Sequence, residues 1–297
     1  MKCVHPLTAF RVADGSIVFD KPPVGAAFFR ELRLRCGQCV GCRLERSAQW
    51  AVRVMHENHM HHGISSFVTL TYSPEKLPPQ GQLVYRDYQL FMKKVRNKFG
   101  PTRFFMAGEY GSANGRPHFH SCLFGTWFKD RVSIGKSPSG SPLFKSATLE
   151  SLWPHGYSSV GDVTFESAAY VARYICDKVT GDLADDHYLR HDEHGVAYWL
   201  EPEFCCMSRR PGIGADWYRK YYNSDVKVRD SCIVDGRELS VPRYYDKLLE
   251  RENPELLKLI KRERVRSVDP LENTEDRLAV QEVVMKARLS FNKRGKV

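Results

Sequence analysis

Two histidines separated by a single residue, His118 and His120, are the first side chains that could do chemistry together. Their segment, Pro117-His118-Phe119-His120, has the composition of a strand, and residues two apart on a strand point to the same face. Two imidazoles on one face can bind a divalent metal ion. A lone pair of this kind is nonetheless more often an ordinary pair of histidines than a metal site, so a third ligand is needed.

A hairpin can supply that third ligand. Residues 103–110 and 117–124 are predicted to be two strands, and Asn114-Gly115 between them is a strong signal for a two-residue type I′ turn. Such a turn would pair Ala113 with Arg116. The pairing of every residue further along the two strands then follows from the turn.

In that register Glu109 pairs directly with His120, while His118 lies diagonally across on the same face. Two imidazoles and one carboxylate suit Mg²⁺ or Mn²⁺, with coordination positions left open for substrate oxygens. The sequence therefore predicts a divalent metal site formed by Glu109, His118 and His120.

Tyr170, Tyr174 and Lys178 are spaced four apart on a helix predicted over 166–179, so they line one stripe of it. A tyrosine hydroxyl becomes a usable nucleophile when a metal or a cation such as Lys178 stabilises its anion. Two aromatic residues at the edge of the core are the plainer interpretation. A separate stripe is expected to face the core, and it contains Ala168, Val171, Ala172, Ile175 and Val179.

Three cysteines follow one another closely, at Cys36, Cys39 and Cys42. The spacing Cys-x₂-Cys-x₂-Cys lets thiolates surround one tetrahedral Zn²⁺, which then needs a fourth ligand. Cys3 and His5 are the alternatives for that position. We expect this zinc to be structural, and an iron–sulfur cluster is the less favoured alternative.

The composition indicates a basic protein with one sizeable core, since the chain has 297 residues, 42% hydrophobic residues and a formal net charge of +10. Such a charge favours nucleic acid as a partner, although a merely basic surface is the alternative. No segment predicts a membrane span or a secretory signal, so we expect a cytoplasmic protein. The basic residues expected to contact DNA are Lys93, Lys94, Arg96, Lys98, Arg116, Arg209 and Arg210.

Other segments are expected to be structural or solvated. Residues 126–162 are interpreted as a long connection, and residues 56–62 as a solvated helix end rather than a zinc protease motif. No Walker motif is present, so we predict no ATPase or helicase activity. The expected divisions of the chain are 1–62 with the cysteine cluster, 63–225 as the catalytic core, and 226–297 as a charged helical extension.

Several motifs, in this order, resemble the HUH endonucleases, and most closely the rolling-circle replication initiators of microviruses of the gokushovirus branch. The resemblance covers about residues 1–220. Its motifs are Phe67-Val68-Thr69-Leu70-Thr71-Tyr72, Gly108-Glu109-Tyr110-Gly111, Arg116-Pro117-His118-Phe119-His120, Leu123-Phe124-Gly125, Tyr170-Val171-Ala172-Arg173-Tyr174 with Lys178, and Met207-Ser208-Arg209-Arg210-Pro211-Gly212-Ile213-Gly214.

The resemblance implies an α+β fold, with an antiparallel sheet of about five strands flanked by helices, an N-terminal zinc element and a helical C-terminal extension. It implies that Tyr170 and Tyr174 nick origin DNA, form a 5′-phosphotyrosine and rejoin strands. Single-stranded and duplex origin DNA, a host helicase and a host polymerase would be the partners, in the cytoplasm of a bacterial host. It also favours Cys3 as the fourth zinc ligand.

One position departs from the family pattern. Relatives often have lysine at both the third and the fourth positions after the second tyrosine, where this chain has Asp177 and Lys178. The lysine role therefore transfers to Lys178 alone. Two rival functions remain open on the sequence: a single-stranded DNA transposase of the same superfamily, and a non-catalytic zinc-containing DNA-binding protein.

Overall fold

The structure is a computed structural model that describes residues 3–21, 30–111, 114–137, 140–177 and 183–294. The chain divides into two compact units. The first contains Met1–Arg46 and Arg262–Val297, and the second contains Ser47–Lys261. In the described part of the chain, no helix combines the length and apolar composition needed to cross a membrane.

The secondary structure alternates between helices and short strands. The α-helices of the described residues are α1 (Val40–Met60), α2 (Tyr85–Phe99), α3 (Ala147–Leu152), α4 (Phe165–Asp177), α5 (Leu183–Tyr188), α6 (Ala215–Tyr221), α7 (Arg243–Glu252), α8 (Pro254–Arg266) and α9 (Glu275–Arg294). The strands are β1 (Leu7–Arg11), β2 (Ile17–Val18), β3 (Arg30–Leu34), β4 (Ser65–Tyr72), β5 (Arg103–Tyr110), β6 (Pro117–Phe124), β7 (Val132–Lys136), β8 (Pro142–Lys145), β9 (Gly156–Asp162), β10 (Leu189–His191), β11 (Ala197–Trp199), β12 (Phe204–Met207), β13 (Ser231–Val234) and β14 (Arg237–Ser240). Short 3₁₀ segments lie at Pro74–Lys76, Pro79–Gly81 and Pro270–Asn273, and a π-helical turn lies at Tyr222–Val226.

The second unit is built on a seven-stranded antiparallel sheet in the order β12-β5-β6-β4-β9-β8-β7. The predicted α+β class, with an antiparallel sheet flanked by helices, is confirmed, although the sheet has seven strands rather than about five. The interpretation of residues 126–162 as a connection is wrong, because they form β7, β8, α3 and β9. Strand β9 is difficult to recognise because its sequence, Gly-Tyr-Ser-Ser-Val-Gly-Asp, lacks an apolar alternation.

Helices cover both faces of this sheet. On β4, Val68 and Leu70 are fully buried toward one face, where α2 packs, while Phe67, Thr69 and Thr71 point to the other. Helix α2 fits that face because its apolar residues recur at helical spacing. Its buried residues are Tyr88, Phe91, Met92 and Val95.

The opposite face is covered by α4 and by the part of α1 from Ser47 onward. Ala51, Val54, Val171 and Ala172 are fully buried there against residues of β5 and β6 such as Phe105. Helix α4 packs chiefly on β5, β12 and β6. The β4–β9 part of this face therefore lies beyond the strands on which α4 mainly packs.

A further apolar cluster joins α6, α7 and the beginning of α8 within the second unit. Its buried members include Trp217, Tyr218, Tyr245, Leu249 and Leu257. Residues 244–261, the first part of the charged segment, thus bury several apolar side chains within the second unit, and most of their charged side chains are exposed.

The predicted solvated helix end at 56–62 is wrong for its first residues. His56 is 4% exposed, stacks on Trp217 with ring centroids 3.4 Å apart, and its Nδ1 lies 2.8 Å from the Tyr245 hydroxyl. Glu57 is also buried, and its carboxylate accepts hydrogen bonds from Arg103 and from the backbone N–H of Gly214. Helices α6 and α7 cover this part of α1, which the sequence pattern of α1 alone does not reveal.

The first unit contains the three-stranded sheet β2-β1-β3 and helix α9. Arg33 of β3 donates a hydrogen bond to the carbonyl of Asn273, which precedes α9. His5 lies 2.9 Å from the Glu282 carboxylate on α9. The first unit therefore contains contacts between the beginning and the end of the chain.

Candidate metal and tyrosine site

The register of the hairpin between β5 and β6 differs from the predicted one by two residues. Glu109 pairs with His118, and Ala107 pairs with His120. The prediction that Ala113 pairs with Arg116 and Glu109 with His120 is therefore wrong. Gly111 donates its N–H to the carbonyl of Arg116, so a four-residue loop connects the strands rather than a two-residue turn.

The loop chemistry explains the shift. Gly115 has φ +62° and donates to the carbonyl of Gly111, while the Asn114 side chain accepts the N–H of Arg116. Asn114 and Gly115 thus occupy the second half of a longer loop, whose residues 112 and 113 lie outside the described residues. A shift of two residues leaves every side chain on its original face, so the three predicted ligands still converge.

Glu109, His118 and His120 meet at a single carboxylate oxygen. The Oε1 atom of Glu109 lies 2.6 Å from Nε2 of His118 and 2.8 Å from Nε2 of His120. The two imidazole rings are nearly perpendicular, with centroids 4.9 Å apart. One ligand atom from each of the three residues lies within 4.8 Å of the others, which is compatible with a shared metal ion.

The other ring nitrogens have partners that orient the imidazoles. Nδ1 of His118 donates to the carbonyl of Arg116 at 2.9 Å, and Nδ1 of His120 lies 3.0 Å from the Thr69 hydroxyl. Each Nε2 is thereby directed toward Glu109. A metal cation can replace the proton between each Nε2 and the carboxylate, so the donor set fits a divalent ion.

The pKa shifts of Glu109, His118 and His120 are consistent with a site that could bind a divalent ion. Burial alone would raise the pKa of Glu109, but hydrogen bonds from His118 and His120 outweigh it and lower that pKa. Burial alone would lower the pKa of His118, but the bond and charge of Glu109 raise it. For His120 burial prevails, and its pKa is lowered. The carboxylate is thus held in its charged form beside two imidazoles.

Tyr170 of α4 reaches the same carboxylate. Its hydroxyl lies 3.4 Å from Oε1 of Glu109, and its ring meets that of His120 edge-on, with centroids 4.9 Å apart. The ring is partly exposed, although the neighbouring Val171 and Ala172 are fully buried. Placement at the edge of the buried face, as the helical stripe predicts, brings the hydroxyl into the site.

The remaining residues of the predicted tyrosine motif can be placed only in part. Tyr174 lies one turn after Tyr170 on α4, but its side chain is outside the described residues, as is the whole of Lys178. Arg173 lies with its guanidinium 5.2 Å from the centre of the Tyr170 ring. Sequence reasoning overlooked this cation, although its spacing of three from Tyr170 places it on a neighbouring part of the helix surface.

Thr69 is the other residue that sequence reasoning overlooked. The alternation of β4 places its side chain on the site face, and the pairing of Thr69 with His120 places it beside that imidazole. The sequence predicted the strand that contains Thr69, but not which of its faces meets the site. The order of strands in the sheet, which the sequence does not state, was the missing information.

The four cysteines considered as zinc ligands lie together in the first unit. Sγ of Cys3 lies 3.6 Å from that of Cys36 and 3.8 Å from that of Cys39, and Cys42 completes the group. Zinc–sulfur bonds of about 2.3 Å in a tetrahedron place sulfurs about 3.8 Å apart, so this group fits Zn²⁺. His5, the alternative fourth ligand, contacts Glu282 instead.

The residues expected to contact DNA fall into separate places. Arg116 lies in the hairpin beside the candidate metal site, whereas Lys93, Lys94 and Lys98 are exposed on α2, on the opposite side of the sheet. The remaining three residues, Arg96, Arg209 and Arg210, line one cleft of about 620 Å³, at the end of β5 farthest from Glu109. This cleft is lined by Arg96, Arg103, Arg209 and Arg210, among others.

Comparisons with known proteins identify a family whose matched range contains these residues. The family described as replication-associated protein ORF2 matches residues 65–179, a range that includes Glu109, His118, His120 and Tyr170. No solved structure matches the chain.

Curated phage proteins match over longer ranges. Replication-associated protein VP4 of Bdellovibrio phage phiMH2K is 29% identical over 264 residues, which cover 86% of this chain and 79% of that protein. Replication-associated protein ORF2 of Spiroplasma virus 4 is 32% identical over 230 residues, covering 73% of this chain and 68% of that protein. Both similarities extend beyond the site, and the chain therefore belongs to the family of phage replication-associated proteins, as its resemblance to microvirus initiators predicts.

Proposed function

We propose that this protein initiates rolling-circle DNA replication by nicking one strand with a tyrosine. The supporting observation is the position of Tyr170, whose hydroxyl lies 3.4 Å from the carboxylate oxygen that both imidazoles contact. A candidate nucleophile and a group able to bind a metal then belong to one site. The family's association with replication supplies the biological setting.

The reaction exchanges one ester for another. The Tyr170 oxygen attacks phosphorus, the bond from phosphorus to the 3′ oxygen breaks, and a 5′-phosphotyrosine and a free 3′-hydroxyl are formed. The phenol loses one proton and the leaving 3′ oxygen gains one, so the charges balance. The ester keeps the phosphate activated, and rejoining needs no ATP.

The protein residues prepare this exchange. Glu109, His118 and His120 would hold a divalent Mg²⁺ or Mn²⁺ ion, which when bound supplies positive charge against the phosphate oxygens. Arg173 lies beside the Tyr170 ring, where a cation favours the phenolate. We assign Lys178 the same role as Arg173, and Tyr174 the role of a second nucleophile that cuts and rejoins the displaced circle.

The other assignments are structural or concern partners. Cys3, Cys36, Cys39 and Cys42 would bind a structural zinc ion. Single-stranded and duplex origin DNA would be the substrate, and a host helicase and polymerase would open and copy the strands, since the sequence has no Walker motif. The protein would then act in the cytoplasm of its bacterial host.

The proposal is tested with oligonucleotides that span candidate origins and carry a label at either end. We expect wild-type protein to form a covalent adduct with the 5′-phosphate fragment only when Mg²⁺ or Mn²⁺ is present. The Tyr170→Phe/Tyr174→Phe double variant should form none, because both attacking oxygens are absent. Adducts are detected by denaturing electrophoresis and assigned to a tyrosine by peptide mapping.

The Tyr198→Phe variant is a matched control, because it removes a partly exposed phenol hydroxyl from strand β11 and should leave adduct formation intact. Adducts that persist in the double variant, or in excess chelator, would refute the mechanism. Binding of DNA without any cleavage by wild-type protein would favour the non-catalytic alternative.

A further inference from the structure

A row of side chains crosses four strands at the candidate site. Glu109 of β5 pairs with His118 of β6, His118 pairs with Thr71 of β4, and Thr71 pairs with Tyr157 of β9. Directly paired side chains lie on the same face of a sheet. Tyr157 therefore shares the face of the metal-binding group, although it is far from that group in sequence.

The distance along this row is short. Neighbouring strands are about 4.8 Å apart, so the backbone of Tyr157 lies about 10 Å from that of His118. This separation is comparable with that between a phosphate and a nearby base on an extended nucleic acid strand. A strand whose phosphate lies at Glu109 and His118 can therefore place a base over β9.

Tyr157 lies near the beginning of β9, three residues before the position at which β8 pairs with this strand. Its exposed fraction is 61%, whereas Tyr72, on the adjacent strand β4 but facing the opposite side, is fully buried. The side chains beside it on the same face are small hydroxyl groups, Thr71 and Ser159, both partly exposed. The aromatic ring of Tyr157 thus extends beyond the shorter polar side chains next to it.

The backbone beneath this ring is fixed by close packing. Gly156, which precedes Tyr157, has φ +149°, and a Cβ atom there would lie 2.2 Å from the backbone nitrogen of Ser73. The same nitrogen donates a hydrogen bond to the carbonyl of His155. Strands β4 and β9 are therefore held together up to the position of Tyr157, so the backbone that carries its ring is held in place.

We propose that Tyr157 is a stacking position for a base of the single-stranded DNA whose phosphate is attacked by Tyr170. The proposal rests on the nicking function, and adds the contact that holds the strand across β4 and β9. An exposed aromatic residue stacks on any base, so this contact contributes affinity with little sequence preference. Sequence recognition would lie elsewhere in the complex.

The test compares two probes of equal length and charge: an oligothymidine and an oligonucleotide of abasic sites. We expect wild-type protein to bind the oligothymidine more tightly, as measured by fluorescence anisotropy. Tyr157→Ala should weaken that binding roughly 5- to 150-fold, and should bind the abasic probe like wild type. Tyr157→Phe keeps the ring and should retain the preference for bases.

Controls separate this contact from the chemistry and from folding. Trp199→Ala removes an exposed aromatic ring from strand β11, and should leave the preference unchanged. Tyr170→Phe/Tyr174→Phe should keep the preference while losing the adduct. If Tyr157→Ala binds both probes as wild type does, the stacking proposal is overturned, whereas loss of adducts alone would concern the nicking mechanism.

Tyr157→Ala should also raise the oligonucleotide concentration needed for half-maximal adduct formation, since the lost contact positions the strand. Ultraviolet cross-linking with a halogenated thymidine probe gives a readout that does not depend on affinity. A cross-linked peptide containing Tyr157 supports the proposal. Cross-links confined to other strands of the sheet contradict it.

Discussion

The hydroxyl of Thr69 lies 3.0 Å from Nδ1 of His120, where a hydrogen bond would orient that imidazole. Groups that hydrogen-bond to the second nitrogen of a metal-binding histidine fix the ring and its tautomer. Nδ1 of His118 has the backbone carbonyl of Arg116 for the same purpose, and this partner cannot be altered by substitution. The hydrogen bond between Thr69 and His120 is therefore the one that a substitution can test.

Thr69→Val should weaken Mn²⁺ binding roughly 10- to 100-fold, because the isosteric side chain cannot accept the His120 proton. Isothermal titration calorimetry with Mn²⁺ measures the change. Thr69→Ser should restore most of the affinity. Thr71→Val on the same face is the matched control, and equal affinities for Thr69→Val and Thr71→Val would contradict the orienting role.

At the scale of elements, the cleft lined by arginine side chains, here called the arginine cleft, is separated from the metal and tyrosine site by the length of strand β5. The arginine cleft lies at the beginning of β5, about 20 Å along the strand from Glu109. Arg103 in this cleft is held by Glu57 and by the carbonyl of Pro211, whereas Arg209 and Arg210 are exposed. The exposed pair is thus the more available to phosphates of DNA that extends beyond the proposed nicking site.

Arg209→Ala/Arg210→Ala should lower duplex affinity and reduce the slope of log K against log salt concentration by about 2, if each arginine neutralises one phosphate. Fluorescence anisotropy over a range of salt concentrations measures this slope. Lys247→Ala/Arg251→Ala on α7 is a charge-matched control that should retain the wild-type slope. An unchanged slope in the first variant would remove the cleft from the DNA surface.

The elements with strong periodicity were predictable from sequence. Strands β4, β5 and β6 and helix α4 follow apolar patterns, and the candidate ligands Glu109, His118 and His120 lie together on β5 and β6 as predicted. Strand β9 was not, because its small and polar residues give no alternation. The contacts of Thr69 and Tyr157 depend on the order of the strands, which local patterns do not specify.

At the scale of the molecule, the cysteine group belongs to a unit with a small sheet and few buried apolar residues. Small units of this kind commonly depend on a metal for stability. Each chain should bind one zinc ion, and Cys36→Ser/Cys39→Ser should lose it, with faster amide hydrogen exchange over residues 30–46. Cys232→Ser, outside the group, should keep zinc; equal zinc content in both variants would contradict the assignment.

Stability of the second unit should also depend on pH through His56. Burial lowers the pKa of His56 to about 3, with a further contribution from the charge of His59, against an ordinary value of 6.5. The folded protein therefore keeps His56 neutral, while the unfolded chain takes up a proton below pH 6.5. Lowering the pH from 7 to 5 should cost about 2 kcal/mol of unfolding free energy.

Urea unfolding at pH 7, 6 and 5 measures this loss. His56→Gln keeps a hydrogen-bonding group for Tyr245 but does not titrate, so its unfolding free energy should fall about 2 kcal/mol less over the same range. Glu57 and Glu109, whose pKa values are lowered, lose their contribution only at more acidic pH. Parallel pH profiles for wild type and His56→Gln would contradict the role of His56.

The four-residue loop between Gly111 and Arg116 has a consequence for how this hairpin can change during evolution. Side chains alternate between faces, so inserting or deleting an even number of loop residues can slide one strand past the other and still present Glu109, His118 and His120 on one face. A slip of the pairing by an odd number of residues would instead turn the carboxylate away from the imidazoles, whereas a longer loop that keeps the pairing would not. Functional relatives should therefore vary in the length of this loop more freely than in the pairing of the carboxylate strand with the histidine strand.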